Sequence, residues 1–399
     1  MNKGDTVNSI APQSLTRPRL SQLDLHMVGA TWCNYLFVQL TTDEGVTGLG
    51  EATMQYQSKA VAAAAEHLFE RYLKGQDPFE IERAIAVMYR EEYARGGPVL
   101  NSAIAGLEMA MWDICGKITG QPVHRLLGGA VRDSVPAYAN AWFGGAETEE
   151  DWASAAVSAV ARGYEALKFD PFWPDGRDPS PRRLRVGLRI IQAVSDAVGP
   201  DIRLLIDGHG RFSPGTAAEL AYGMSELGVH WFEEPVDPEN FGALGNVPRA
   251  PGLRIAAGER CWSRYKVPAL IAQGRPDVLQ PDPIQVGGIL ESRKIAAIAE
   301  SHYLPVSFHN PFGPVATAAV VQLDAGITNM YLQEAFCEFA DPLWFDVLKN
   351  APRPVNGSFP VSDQPGLGGI ELNMDAVAEH PYRDGAYISI WGGSRDFND

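Results

Sequence analysis

Six polar residues in the second half of this 399-residue chain each close an apolar stretch: Asp207, Glu233, Glu259, Asp282, His309 and Glu334. Their numbers step by 26, 26, 23, 27 and 25, about the length of one strand, one helix and two short connections. That beat predicts repeating β/α units. Side chains at the same ends of successive parallel strands converge on one rim, so residues distant in sequence share one pocket.

The chemistry follows from the residue types. Asp207, Glu233 and Glu259 close three consecutive predicted strands, and three oxygen donors on one rim suit a hard cation such as Mg²⁺, which leaves positions for water and substrate. Zinc would more often take His or Cys. For any one acid the alternative is a cap on the following helix; three in succession at matched depth favour the metal. Glu234 points to the other side of its strand or into the loop and is the weaker ligand.

Asp282 and His309 come next on the beat. A carboxylate beside an imidazole fixes its tautomer and raises its basicity, which suits a general base; taken alone, His309 also reads as a buried, hydrogen-bonded histidine. His209, two residues after Asp207 in LLIDGHGRF, reaches the same rim between two glycines, or else is a surface loop residue. Lys168, in EALKFDPF, puts a cation beside the acids, either to bind a substrate carboxylate or act as a base, or to balance them. Asp170 shares its face and is a further candidate for contact with the substrate. Arg211 and Trp142 read equally as walls of a polar substrate site and as packing residues.

The elements that must position these groups are legible in outline. Residues 36–52, LFVQLTTDEGVTGLGEA, alternate around Asp43-Glu44-Gly45 and predict an antiparallel hairpin. Helical spacing follows over Val61–Tyr93 and Asn101–Ile118. A boundary is expected near residue 130, at the Gly128-Gly129 pair. Eight strands are predicted beyond it: Val135–Ala139, Ala166–Asp170, Ile202–Asp207, Val229–Glu233, Leu253–Glu259, Val278–Asp282, Pro305–His309 and Met330–Glu334. Helical segments between them (Glu149–Arg162, Arg183–Val198, Gly215–Leu227, Ile289–Ser301, Pro314–Ala325) give the alternation of a parallel sheet, closed as a barrel. The expected organisation is an α+β unit over 1–130, completed by the tail at about 350–399, and a barrel over 131–349.

Composition narrows the partners. With 33 basic against 49 acidic residues, the formal charge of −16 opposes nucleic acid and anionic lipid. A bound cation still permits an anionic substrate. Cys33, Cys115, Cys261 and Cys337 form no CxxC pair and read as buried free thiols. No signal peptide or membrane-spanning stretch is seen, so a reduced, cytoplasmic protein is expected.

The motifs SAIAGLEMAMWDICGKITGQPVHRLLGG, WFEEP, AAGER and PGLGGIEL together resemble the enolase superfamily, in the branch around mandelate racemase and the acid-sugar dehydratases. The likeness covers nearly the whole chain. It implies an α/β fold, a modified TIM barrel (β/α)7β under an N-terminal α+β capping domain. It also implies Mg²⁺ on Asp207, Glu233 and Glu259, an Asp282–His309 base, Glu334 beside the substrate carboxylate, a symmetric homo-oligomer, and proton abstraction that gives a metal-stabilised ene-diolate. Racemases of this kind carry Lys-x-Lys where this chain has Lys168-Phe169-Asp170, so a two-base racemisation is disfavoured. DGHGRF and SFHNPFGPVA resemble the galactonate dehydratase subgroup, in which His209 matches a general acid and His309 the base. The expected reaction is β-elimination of water from an aldonate such as galactonate or gluconate, giving a 2-keto-3-deoxy sugar acid. The alternatives are a cycloisomerase of a sugar lactone or anhydro sugar, a racemase or epimerase, and a non-catalytic sugar-acid binder. Loops near residues 25–35 and 53–60 are expected to set specificity.

Overall fold

The computed structural model describes residues 17–172, 177–340 and 342–385. The expected hairpin is β2 and β3 of a three-stranded antiparallel sheet, β1 Leu20–Gly29, β2 Asn34–Thr42 and β3 Thr47–Glu51, turned by Gly45 at φ 83°. One face, with Leu36, Val38 and Leu40 fully buried, receives α1 Ser58–Leu68, α2 Ile81–Arg90 and α3 Pro98–Thr119. Closeness there depends on glycine. A Cβ at Gly50 would lie 1.9 Å from the Gly106 carbonyl of α3.

The beat of the second half is a parallel barrel. Strands β4 Ser134–Ala139, β5 Ala166–Phe169, β6 Arg203–Asp207, β7 Trp231–Glu233, β8 Arg254–Ala257, β9 Val278–Leu279 and β10 Gln333–Ala335 pair in parallel, with β10 returning to β4. Pro305–His309, expected as a strand, makes only single bridges from Val306 to Leu279 and to Met330, and these close the ring. Pro305 has no N–H to give a ladder. Helices Glu149–Val160, Pro181–Val198, Pro214–Glu226, Ile289–Ser301 and Pro314–Asp324 cover the outside. Among the described residues no helix is long and apolar enough to cross a membrane.

Period two then explains the rim. Tyr138, Ala166, Leu205, Trp231, Val278 and Leu332 form one buried layer inside the barrel. The next inward residue on each strand, two positions on, is Asn140, Lys168, Asp207, Glu233, Gln280 and Glu334. Between β7 and β9 the rule slips by one. Ala256 is inward, but Gly258 turns at φ 138°, where a Cβ would sit 3.0 Å from the Gln280 amide, so Glu259 takes the rim place.

The tail runs back along the molecule. Ser358–Pro360 pairs antiparallel with the first half of β4, Leu367 donates its amide to Asp113 of α3 at 2.8 Å, and Gly29 donates to the His380 carbonyl at 2.9 Å. Cys33, Cys115 and Cys261 are buried, whereas the Cys337 side chain lies outside the described residues. Gly50→Ala should therefore wedge β3 from α3. We expect a loss of about 1–3 kcal/mol, read as a lower urea midpoint with an unchanged slope.

Candidate active site

Asp207 and Glu233 are register partners on β6 and β7. With Glu259 they bring one carboxylate oxygen each within 4.8 Å of one another. Lys168 Nζ donates into this group, to Asp207 Oδ2 at 3.0 Å, to Glu233 Oε1, and towards Glu334 Oε1 at 3.4 Å. Burial opposes its charge, but the three acids outweigh it and hold the amine well above the ordinary lysine value. One cation does not neutralise them. Burial and Asp207 still push Glu233 up to about 8, and its Oε2 is buried with no hydrogen-bond partner among the described residues. An orphaned carboxylate oxygen beside two other acids fits a hard divalent cation as the missing partner.

The histidines stand at the two ends of this trio, each tied to its own acid. His309 Nδ1 donates to Asp282 Oδ2 at 2.7 Å, while Nε2 lies 3.3 Å from Glu259 Oε2. Asp282 is fixed in turn, its Oδ1 accepting from the Ile284 and Gln285 amides at 2.8 and 3.0 Å at the start of the short helix Pro283–Val286. His209 repeats the pattern. Its Nδ1 donates to Asp170 Oδ2 at 2.8 Å, and its Nε2 lies 3.5 Å from Asp207 Oδ2. Each pair sets the tautomer, leaving Nε2 for the pocket. Burial depresses both imidazoles, but Asp207 and Asp170 raise His209 to about 9, and Glu259 and Asp282 raise His309 to about 10. The side chains of His209 and His309 remain 27% and 13% exposed, against 2% for Lys168, so the proton-carrying groups are the reachable ones.

Glu334 sits between Asn140 and the His309 segment. Its Oε1 accepts from Asn140 Nδ2 at 2.7 Å and its Oε2 from the Asn310 amide at 2.6 Å. Burial works against its charge, yet Lys168 and His309 keep the carboxyl below its usual range.

Three residues expected at the substrate site, Arg211, Asp170 and Trp142, have other partners. Arg211 is fully buried and clamps Asp170 through two bonds of 3.0 and 2.6 Å, so it stands behind His209 and not along the pocket. Both oxygens of Asp170 are thereby engaged. Trp142 packs edge-on among Phe143, Trp152 and Phe169 and donates to the Lys168 carbonyl at 2.9 Å, which is the packing alternative. Glu234, at φ 34°, turns from the trio to Arg260, whose Nε donates at 2.8 Å. Sequence reading missed Arg260 and Asn140. Their signals were adjacency to Glu259 and the rim position one strand before Lys168.

Comparison with known proteins gives the family. Residues 14–128 match the family described as mandelate racemase/muconate lactonizing enzyme, N-terminal domain, and residues 151–376 match the enolase C-terminal domain-like family. The chain belongs to the enolase superfamily. The D-gluconate dehydratase of Thermoproteus tenax is 35% identical over 85% of this chain and 68% of its own length. The D-gluconate/D-galactonate dehydratase of Picrophilus torridus is 36% identical over 84% of this chain and 85% of its own. Among solved structures, a mandelate racemase/muconate lactonizing enzyme from Jannaschia sp. CCS1 aligns with TM-score 0.85 at 33% identity, over 92% of this chain and 98% of that one. The resemblance read from the motifs is the one found, and the two relatives named dehydratases are hydro-lyases.

Linkage gives the sign of the pH dependence of this enolase-superfamily site. A histidine with a raised folded pKa adds stability that is fully present below the unfolded value of 6.5 and is lost as pH rises through about 9 for His209 and about 10 for His309. The metal-free protein should therefore have a falling urea midpoint between those limits. Mg²⁺ or Mn²⁺ at about a hundredfold its Kd should add about 2.7 kcal/mol, and Glu233→Gln should abolish that gain in calorimetry.

Proposed function

We propose that this enzyme is a Mg²⁺-dependent acid-sugar dehydratase acting on an aldonate such as D-gluconate or D-galactonate. The observation that carries the reading is the pair of Asp–His units, Asp282–His309 and Asp170–His209, at opposite ends of one carboxylate trio. Elimination of water needs a base for the proton next to the carboxylate and an acid for the departing hydroxyl. Two separately oriented imidazoles supply one of each. The named relatives support the substrate class.

In this reading Asp207, Glu233 and Glu259 hold the Mg²⁺. Bound there, it would supply positive charge against the substrate carboxylate and against the charge that develops as the C2 proton leaves. Lys168, fixed by its acids, faces the substrate carboxylate with a permanent cation, and Glu334 stands beside it. His309 Nε2 takes the proton from C2. His209, held protonated by Asp170 and Asp207, donates its Nε2 proton to the 3-hydroxyl as the C3–O bond breaks and water leaves. The resulting enol tautomerises to the 2-keto-3-deoxy acid. Asp170 stands where a two-base racemase carries its second base, and with both oxygens committed to Arg211 and His209 it argues for elimination.

The two histidines should separate experimentally. In D₂O with Mg²⁺, His309→Gln should lose both exchange of the C2 proton and dehydration, by about 10²–10⁴-fold. His209→Gln should keep exchange while losing the 2-keto-3-deoxy product, read by a keto-acid assay over a panel of aldonates and aldarates. Isomerisation of a lactone without loss of water, or turnover undiminished in His309→Gln, would overturn the assignment.

A further inference from the structure

The barrel helices differ in where their N-terminal caps come from. Glu149–Val160, Pro181–Val198 and Pro214–Glu226 are capped by their own preceding residues, Thr148, Ser180 and Ser213, whose side chains accept from the third amide on, and Phe241–Gly245 is capped likewise by Asn240. Local caps of this kind are the ordinary solution. The helices Ile289–Ser301 and Pro314–Asp324 have none, because glycines, Gly288 and Gly313, stand at their cap positions. These two helices follow the segments that carry Asp282 and His309.

Both are capped by glutamates of the N-terminal region. Glu51, at the end of β3, accepts from the Gly313 amide at 2.7 Å with one oxygen and from the Ala316 amide at 2.9 Å with the other, while the Thr53 hydroxyl donates to it at 2.6 Å. Glu108, on α3, accepts from the Leu290 and Ile289 amides, both at 2.9 Å, and from Trp112 Nε1 at 2.8 Å. The cap glycines make room. A Cβ would lie 2.6 Å from Glu51 Oε1 at Gly313 and 2.3 Å from Glu108 Oε2 at Gly288. Burial pushes both glutamates up to about 7, an unfavourable placement that a local Ser or Asp would have avoided.

The connection to the dyad is short. Gly313 follows His309 by four residues, and Phe312 between them sets its ring edge-on to the imidazole at 6.1 Å while stacking on Trp32 of the β1–β2 turn at 6.0 Å. We propose that Glu51 and Glu108 are positioning residues: a two-point clamp through which the N-terminal domain, when seated, holds His309 and Asp282 in register with the rim. This rests on His309 being the base, as proposed above. The fully buried Asp113 is the internal control. It accepts from Leu367 and Leu49 at 2.8 and 2.9 Å, tying the tail and β3 to α3 without a hydrogen bond to either helix cap or to the dyad.

The test compares Glu51→Gln, Glu108→Gln and Asp113→Asn in the full-length Mg²⁺-loaded enzyme, using D-gluconate and D-galactonate with and without deuterium at C2. The clamp predicts that Glu51→Gln and Glu108→Gln lower kcat by about tenfold or more through misplacement of the base. KM should change less, the isotope effect on kcat/KM should grow, and amide exchange by mass spectrometry should accelerate over residues 306–318 or 283–292 respectively. Asp113→Asn should lower the melting temperature alone. If a Gln variant does not fold, Thr53→Val, which removes one donor to Glu51, should move the same readouts less far. Gln variants that match Asp113→Asn, with kcat and isotope effect unchanged, would overturn the clamp. Turnover by His309→Gln would remove the base that it positions, and the exchange measurement, which needs no turnover, separates that failure from a clamp that does not hold.

Discussion

Uncompensated negative charge at the barrel rim is the constraint on which the rest of the site depends. Asp207, Glu233, Glu259, Asp282 and Glu334 are all buried or nearly so, and Lys168 is the one lysine among them. Burying carboxylates without partners is strongly unfavourable. Each of the surrounding features answers that excess: Lys168 reaches Asp207, Glu233 and Glu334, the amides of Ile284 and Gln285 bond Asp282, that of Asn310 bonds Glu334, and both histidines are drawn towards protonation. Glu233, left with one orphaned oxygen, shows that the protein groups alone do not complete the balance. A site assembled in this way is poised for a cation and an anionic substrate together.

The same logic extends outward from the rim. Arg211 is buried because Asp170 is, and Asp170 is buried because His209 must be held. Arg260 serves Glu234 in the same fashion, and the Glu234 carbonyl accepts from the Gly210 amide in the His209 loop at 2.6 Å. Positive φ at His209 and Glu234, 47° and 34°, is held by these bonds. Strain of this kind persists only where surrounding contacts over-determine it.

Much of this was legible in the chain because a barrel converts sequence period into position. The beat of about 25 residues named the rim residues, and the helices came out within a few residues of their expected bounds, Ile289–Ser301 without change. Strand lengths were less legible. Apolar runs such as Val229–Glu233 and Leu253–Glu259 extend past the ladder, since hydrophobicity reports burial while a ladder also needs paired amides, and β1 was missed because its buried positions are few. What the sequence hides most is who bonds whom. Arg211 and Trp142 carry the right chemistry for a polyol site, but their partners, Asp170 and the Lys168 carbonyl, are fixed by tertiary packing that no spacing encodes.

The two Asp–His units make a final point about how one fold divides acid from base. They are alike in bonding pattern: each carboxylate takes Nδ1, and each Nε2 faces one end of the trio. Their surroundings differ. His309 is drawn towards protonation by Glu259 and then by Asp282 and Glu334, and Asp282 is itself satisfied by neutral amides. His209 leans first on Asp207 and then on Asp170, whose position is set by the buried Arg211. The acid that holds His209 is thus anchored by a buried cation, and the acid that holds His309 by neutral amides. Substituting Asp170 for a second lysine creates that asymmetry, since a lysine there would repel both Arg211 and the charged His209.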